Sequence, residues 1–126
     1  MNKTKILIVD DEELVVQGIK KGLDNYGFIV KTILGGEHAI ELLKKEFFDI
    51  VLVDLIMPGI NGVETCRGIK TNSPKTEVIL LSGFPKEIER LQMSFINAGG
   101  VDLFLRKPLL ADEVKDAIEK LLSERT

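Results

Sequence analysis

The sequence predicts an α/β protein in which five parallel strands form one sheet with helices on both of its faces. Two observations lead to this fold class. Short apolar runs alternate along the chain with longer segments of helical periodicity. Several of these runs are almost unbroken in their apolar character, which is typical of strands covered on both faces. Such alternation produces right-handed crossovers between parallel strands.

The five predicted strands are rich in Val, Ile, Leu and Phe. In chain order they are KILIV (5–9), FIVKTI (28–33), IVLVD (50–54), VILLS (78–82) and DLFL (102–105). The segments that follow them carry apolar residues at the spacing of a buried helical stripe. These predicted helices cover residues 12–25, 36–46, 61–71, 86–98 and 111–123. The elements fill the chain, so we predict one domain over residues 1–126, with no effector domain.

Composition and charge exclude several classes of protein. The formal net charge of −3 offers no basic surplus to neutralise phosphates, which argues against nucleic acid as a direct partner. The single cysteine cannot form an internal disulfide, which fits a reducing compartment. No apolar run approaches the roughly 18 to 20 residues of a membrane span, and the N-terminus does not resemble a signal peptide. We therefore expect a cytoplasmic protein without membrane contact.

Polar side chains stand at the carboxyl ends of four predicted strands. Asp10 and Asp11 close the first strand, Asp54 the third and Ser82 the fourth, and Lys107 follows the fifth. The carboxyl ends of parallel strands meet at one edge of a sheet, and ligands bind beyond that edge. We therefore expect these five side chains to gather in one place.

Three carboxylates in one place repel one another, and a hard divalent cation such as Mg²⁺ is the usual remedy. Asp11 and Asp54 are suited to direct ligation, and Asp10 is suited to ligation through water. Lys107 would balance the charge without metal and would bind a phosphoryl oxygen when one arrives. Ser82 would hydrogen-bond a second phosphoryl oxygen. This set of groups suits the transfer of a phosphoryl group to a carboxylate.

Over essentially its whole length the chain resembles the receiver domains of response regulators in two-component signalling, which are CheY-like proteins. The residues that carry the resemblance are Asp10-Asp11, Asp54, MPGING (57–62), Ser82 and Lys107-Pro108, each in the expected order at a strand end. The resemblance implies a three-layer, doubly wound, flavodoxin-like fold with strand order 2-1-3-4-5. It also implies a signalling switch that catalyses only its own phosphorylation and dephosphorylation, without an outside substrate.

The resemblance further implies the roles of the acidic residues. Asp54 would accept a phosphoryl group from a phosphohistidine of a sensor histidine kinase or a histidine phosphotransfer protein. Asp10 and Asp11 would be the acidic pair that holds Mg²⁺, for which Mn²⁺ would be an acceptable substitute. The backbone carbonyl of Ile56 would be a further ligand of the cation.

The resemblance also assigns the switch of such domains to particular residues. Lys107 would contact the phosphoryl group, and its peptide bond to Pro108 would be cis. Ser82 would move toward the phosphoryl group, and Phe104 would turn into the space it vacates. Phe104 fits a plain core residue equally well. The expected output face, for an unknown downstream protein or a homodimer, is formed by 86–98, 102–105 and 111–123.

Two pairs of apolar residues suggest sharper hypotheses. Ile56 and Phe84 lie two residues after Asp54 and Ser82, at positions that tune phosphoryl lifetime in the family, and neither can orient an attacking water. We therefore expect slow self-dephosphorylation, against the alternative that both merely pack on loops. Leu14 and Val15 lie at the edge of the apolar stripe of the first helix. They would form part of a docking patch for the phosphodonor, or else a wider buried stripe.

Three rival interpretations remain. A flavin-binding protein or an enzyme of the same fold would need a phosphate-cradling loop after the first strand, where DDEELV would repel phosphate. A scaffold-type receiver would work without phosphorylation, although the site residues are all present. The chain would otherwise be the receiver portion of a larger transcriptional regulator or hybrid kinase.

Overall fold

The computed structural model describes residues 3–124, and within them it contains five strands and five helices. The strands are β1 (Lys5–Val9), β2 (Ile29–Ile33), β3 (Ile50–Asp54), β4 (Glu77–Ser82) and β5 (Phe104–Arg106). The helices are α1 (Glu13–Asp24), α2 (Gly36–Leu43), α3 (Gly62–Asn72), α4 (Pro85–Asn97) and α5 (Ala111–Glu124). No helix in this part of the chain has the length and apolar character needed to cross a membrane.

Most predicted boundaries agree with the structure to within one residue, and two differ by more. Helix α2 ends at Leu43 instead of residue 46, because the Leu42 carbonyl accepts the backbone N–H groups of both Lys45 and Glu46 and closes a tight turn. Strand β5 begins at Phe104 instead of residue 102. The apolar character at this point indicates burial and not strand structure, because Leu103 packs against the core on the α1 and α5 side of the sheet although it precedes the strand.

The sheet confirms the predicted fold class and strand order. All neighbouring strands are parallel, and their order is β2-β1-β3-β4-β5. The order reverses direction beside β1, from which the chain goes outward first to β2 and later to β3. The carboxyl ends of β1 and β3 therefore face a crevice at the topological switch point, where open α/β sheets bind their ligands.

The central strands are apolar without interruption because they supply two separate cores. Alternate residues of a strand point to opposite faces of the sheet. One core packs the sheet against α2, α3 and α4, and the other packs it against α1 and α5. The first core takes Leu7, Val51 and Leu80, and the second takes Ile8, Leu52 and Ile79. The two cores fix the sheet from both sides and hold the strand ends in register.

The segment after β3 shows why a turn follows Asp54 at once. Gly59 adopts a φ of +82°, which is open to glycine at little cost. Asn61 caps α3, and its side chain and that of Glu64 exchange hydrogen bonds with each other's backbone N–H groups. A side chain at Gly62 would approach the Asp54 carbonyl to 2.8 Å. These features bring the start of α3 close behind the end of β3.

Two glycines of α1 make a matched pair for a stability test. A Cβ atom at Gly22 would lie 2.4 Å from the Cβ atom of Ala111 at the start of α5, whereas one at Gly18 would meet nothing within 4 Å. Gly22→Ala should therefore lower the free energy of unfolding by about 1 to 3 kcal/mol through overpacking. Gly18→Ala should raise it by up to about 1 kcal/mol through helix propensity. Urea denaturation would test both, and equal effects of the two changes would contradict the proposed contact.

Candidate functional site

Four of the predicted polar residues meet at the carboxyl edge of the sheet. Asp10 follows β1, Asp54 ends β3, Ser82 ends β4 and Lys107 follows β5. Asp10, Asp54 and Ser82 are almost inaccessible to solvent. The backbone N–H of Lys107 donates a hydrogen bond to the Ser82 carbonyl at 2.9 Å, which fixes the lysine beside the end of β4. The peptide bond between Lys107 and Pro108 is cis.

The Lys107 ammonium lies among carboxylates from three different segments. Its Nζ atom is 2.7 Å from Asp10 Oδ2, 2.6 Å from Glu12 Oε1 and 3.2 Å from Asp54 Oδ2. The other oxygen of Asp10, Oδ1, accepts the backbone N–H of Glu12 at 3.0 Å. One positive charge thus faces three negative charges, so the group keeps an excess of negative charge.

This excess is suited to a cation. Within residues 3–124, one carboxylate oxygen from each of Asp10, Glu12 and Asp54 lies within 4.8 Å of the other two. Oxygen-only donors are the kind that Mg²⁺ and similar hard cations prefer, so the residues present fit a divalent metal ion. Asp11 is exposed at the mouth of the site, and its carboxylate is not part of this group.

Glu12 was missed by reasoning from the sequence, although it lies beside the predicted acidic pair. Its position just before the first turn of α1 made it indistinguishable from an ordinary acidic residue at a helix start. The contact that singles it out, with Lys107, spans 95 positions of the chain. No local sequence pattern reports a contact of that kind.

Burial and charge shift the titration of the central groups. Burial, followed by the nearby charge of Asp10, raises the pKa of Asp54 from 3.8 to about 6, although Lys107 acts in the opposite direction. Burial acts to lower the pKa of Lys107. The hydrogen bonds to Asp10 and Glu12 and the charge of Asp54 outweigh it, so the pKa of Lys107 is raised. The lysine is therefore always charged at neutral pH, whereas ionising Asp54 costs free energy in the folded protein.

Ser82 ends β4, and Phe104 begins the neighbouring β5, where it pairs with Leu80. The Ser82 hydroxyl oxygen accepts the backbone N–H of Phe84 at 3.0 Å, at the residue that precedes α4. Phe104 is half-buried, packs against the first core and meets the Phe95 ring edge-on with centroids 6.1 Å apart. Phe104 is therefore partly a core residue in this state, and Ser82 already has a hydrogen-bond partner.

A groove of about 900 Å³ opens from the acidic group along α1. Its lining includes Leu14 and Val15 of α1, together with Ile56 and Phe84 at the mouth of the site. Leu14 is 89% exposed and Val15 37%, so the alternative of a wider buried stripe on α1 is wrong. Ile56 is 42% exposed and Phe84 is 59% exposed, so neither side chain is buried against a neighbouring loop.

The sequence matches the family model of the response regulator receiver domain over residues 6–119. A similar curated protein is the transcriptional regulatory protein ResD of Bacillus subtilis (strain 168), 33% identical over 121 residues. The match covers 96% of this chain and 49% of ResD, and the chain spans about half the length of the first curated relatives it matches.

Solved structures of the same fold support this match. The BeF3-activated receiver domain of DrrB, a Thermotoga maritima protein, has a TM-score of 0.79 and 29% identity, covering 97% of this chain and 99% of that one. A CheY-like receiver domain protein from Methanospirillum hungatei JF-1 has a TM-score of 0.87 at 24% identity. That alignment covers 98% of this chain and 96% of the other, and at this identity it speaks for the fold alone.

Proposed function

The chain belongs to the response regulator receiver domain family, and from this we propose that it is a phosphoryl-accepting switch in which Asp54 is the acceptor. Domains of this family act as signalling switches, not as enzymes with an outside substrate. The observation that carries the proposal is the placement of Asp54 beside Asp10 and within 3.2 Å of the Lys107 ammonium. That arrangement supplies a nucleophile, a cationic clamp and donors for a metal ion.

The proposed reaction is a direct displacement at phosphorus. An Asp54 oxygen attacks the phosphorus and forms a P–O bond while the P–N bond to the donor phosphohistidine breaks, and the imidazole nitrogen keeps the electron pair. Lys107 balances the negative charge of the phosphoryl oxygens. The lysine itself needs little movement for this role, although its ammonium must exchange one carboxylate contact for the phosphoryl group.

We propose, from the family resemblance, that Mg²⁺, or Mn²⁺ in its place, is held by the carboxylates of Asp10, Asp11 and Asp54 and by the backbone carbonyl of Ile56, although without metal the Asp11 carboxylate lies outside the group formed by Asp10, Glu12 and Asp54. When bound, the ion supplies charge neutralisation for the attacking carboxylate and the transferred group. Buried Asp10 and Asp54 need such a partner most, because an excess of unpaired charge is costly at low exposure.

Phosphorylation would then act through Ser82 and Phe104. A phosphoryl group adds roughly −1.5 to −2 charges and three strong acceptors. The Ser82 hydroxyl, which now accepts the Phe84 N–H, would move and donate to a phosphoryl oxygen, and Phe104 would turn into the space that Ser82 vacates. The readout would be the face formed by α4, β5 and α5, which would contact a downstream protein or a second copy of the chain.

The test is intact-mass analysis after incubation with acetyl phosphate, with and without Mg²⁺, on the wild type and Asp54→Ala. We expect one added phosphoryl group on the wild type only, and only with metal. A protein that binds Mg²⁺ but takes up no phosphoryl group from acetyl phosphate or from a phosphohistidine donor would instead be a scaffold-type receiver.

The lifetime of the phosphoryl group is expected to be long, because Ile56 and Phe84 offer no polar group to an attacking water. Ile56→Asn or Phe84→Glu should speed the decay on the order of tenfold by orienting that water. Decay would be followed by intact mass after removal of the donor. Met93→Asn is the control, since Met93 is 61% exposed and lies outside the groove. An unchanged decay rate in both site variants would exclude this role.

The partner that supplies the phosphoryl group is proposed to be a sensor histidine kinase or a histidine phosphotransfer protein that docks on Leu14 and Val15. Leu14→Lys should slow transfer from the cognate donor protein by about tenfold or more while phosphorylation by acetyl phosphate stays unchanged. Leu34→Lys, at a residue 53% exposed outside the groove, is the control. Equal transfer rates in all three proteins would place docking elsewhere.

Two forms of the whole protein are consistent with the lengths of its relatives. Because the chain covers 49% of ResD, a transcriptional regulatory protein, it fits the receiver portion of a longer regulator as well as a single domain over residues 1–126. Either form is proposed to act in the cytoplasm, without direct contact between this domain and nucleic acid or membrane.

A further inference from the structure

Glu12 is a charged residue at the site to which the proposed reaction gives no role. It immediately precedes α1, and its backbone N–H donates to Asp10, which holds the residue beside the acidic group. Its side-chain oxygen lies 2.6 Å from Lys107 Nζ, closer than the oxygens of Asp10 or Asp54. The most exposed of these three carboxylates therefore makes the shortest contact with the lysine.

The contacts of Lys107 leave no donor for an incoming group. An ammonium has three N–H donors, and three carboxylates among the described residues surround this one. A phosphoryl oxygen can therefore bind Lys107 only if one carboxylate gives up its place or weakens its contact.

Burial decides which carboxylate is the easiest to displace. The side chains of Asp10 and Asp54 are 1% and 7% exposed, whereas that of Glu12 is 56% exposed. A buried carboxylate that loses its partner keeps an uncompensated charge, which is costly. Glu12 can turn into water, where an exposed ion pair contributes little to stability.

The location of Glu12 also conflicts with a phosphoryl group on Asp54. A Glu12 oxygen lies within 4.8 Å of an Asp54 oxygen. A phosphoryl group attached to Asp54 would extend about 2.5 Å beyond the oxygen that carries it, which is the span of two covalent bonds that meet at an angle. Its negative oxygens would then face the Glu12 carboxylate at short range and repel it.

We propose that Glu12 is an internal competitor of the phosphoryl group for Lys107. In the unphosphorylated protein the Glu12 carboxylate pairs with the Lys107 ammonium, and phosphorylation requires that this carboxylate be displaced. Glu12 is thus a positioning residue that acts through Lys107 and weakens the phosphorylated state. This inference rests on the proposed function, since it needs a phosphoryl group at Asp54.

The probe is beryllofluoride, the phosphoryl mimic with which the similar DrrB receiver domain was activated. Its binding to the 126-residue chain would be titrated at saturating Mg²⁺ and followed by ¹⁹F NMR of the bound species. Glu12→Gln should bind beryllofluoride about three- to tenfold more tightly than the wild type, because a competing charge is removed. The same variant should be phosphorylated faster by acetyl phosphate.

The matched control is Glu13→Gln, which removes the same charge one residue further along, in the first turn of α1, from a residue that is not a partner of Lys107. We expect its affinity to stay within about twofold of the wild type. Equal effects of the two variants would overturn the proposal in favour of a general charge effect. Weaker binding by Glu12→Gln would overturn it by assigning Glu12 to the cation site.

Failure of the proposed function has a different signature. A wild-type protein that binds neither beryllofluoride nor a phosphoryl group would refute the function and this inference together. A wild type that binds beryllofluoride, with Glu12→Gln no tighter, would refute the inference alone. A purely structural role of Glu12 would change the urea midpoint of the variant but not its affinity for the mimic.

Discussion

Lys107→Met is expected to lower the free energy of unfolding by about 2 to 4 kcal/mol in the absence of divalent cations. The substitution keeps much of the side-chain volume but leaves Asp10, Glu12 and Asp54 facing one another without their shared cation. Removing one partner of a buried charged group is far more harmful than losing an exposed ion pair, because the remaining charge stays uncompensated. The measurement is urea denaturation at pH 7.5 in EDTA.

Saturating Mg²⁺ should restore part of the stability that Lys107→Met loses, since the ion replaces the missing positive charge. The control is Lys44→Met, which removes an exposed pair with Glu41 and should change stability by less than about 0.5 kcal/mol. If both variants lost the same small amount, the three carboxylates would not depend on Lys107 for their charge balance.

Asp54→Asn is expected to have the opposite effect and to stabilise the metal-free protein at neutral pH by about 1 to 2 kcal/mol. Burial and the charge of Asp10 raise the pKa of Asp54 from 3.8 to about 6 in the folded protein. Between these two values the folded state binds more protons than the unfolded state. The contribution of Asp54 to stability therefore falls as the pH rises from about 4 to about 6, and the full cost of ionising it is present above pH 6.

Asparagine keeps the shape of the side chain and cannot ionise, so this fall should be absent from Asp54→Asn. Urea denaturation in EDTA at several values between pH 4.5 and 7.5 would show the two stabilities diverging as the pH rises. The same variant should gain less from Mg²⁺, since one carboxylate ligand is lost. Asp116→Asn, at a side chain 73% exposed, serves as the control. A variant less stable than the wild type at pH 7.5 in EDTA would contradict the proposed cost of the Asp54 charge.

Together these two predictions describe a site whose carboxylates repel one another, and the protein tolerates this electrostatic stress at its proposed functional site. Lys107 relieves that stress without metal, and a divalent cation would relieve it further. Strain at a functional site is tolerated when the surrounding structure is strong enough, and here two hydrophobic cores hold the strand ends. The stored repulsion favours binding of a cation, and that cation would in turn offset the negative charge of an incoming phosphoryl group.

The periodicity of the sequence was sufficient to predict the fold class and most element boundaries. Uninterrupted apolar strands have few alternatives to a sheet covered on both faces, and parallel strands place their ends at one edge whatever the details of their loops. Asp10, Asp54, Ser82 and Lys107 could therefore be expected together from the sequence alone. The start of β5 could not, because apolar residues that are buried beside a sheet and those that belong to it look alike in sequence.

The layered fold and the edge at which the polar residues collect can both be predicted from the sequence, since they follow from apolar periodicity and strand direction. The identity of the neighbouring acid that faces Lys107 became apparent only from the packing of distant segments. Asp11 and Glu12 are adjacent and chemically alike, but the turn from β1 into α1 places Glu12 against the lysine and leaves Asp11 outside the carboxylate group. It likewise separated Gly18, beside open space, from Gly22, against Ala111. The physical reason is common to both cases: side-chain contacts depend on segments that are distant in the chain, and local patterns carry no record of them.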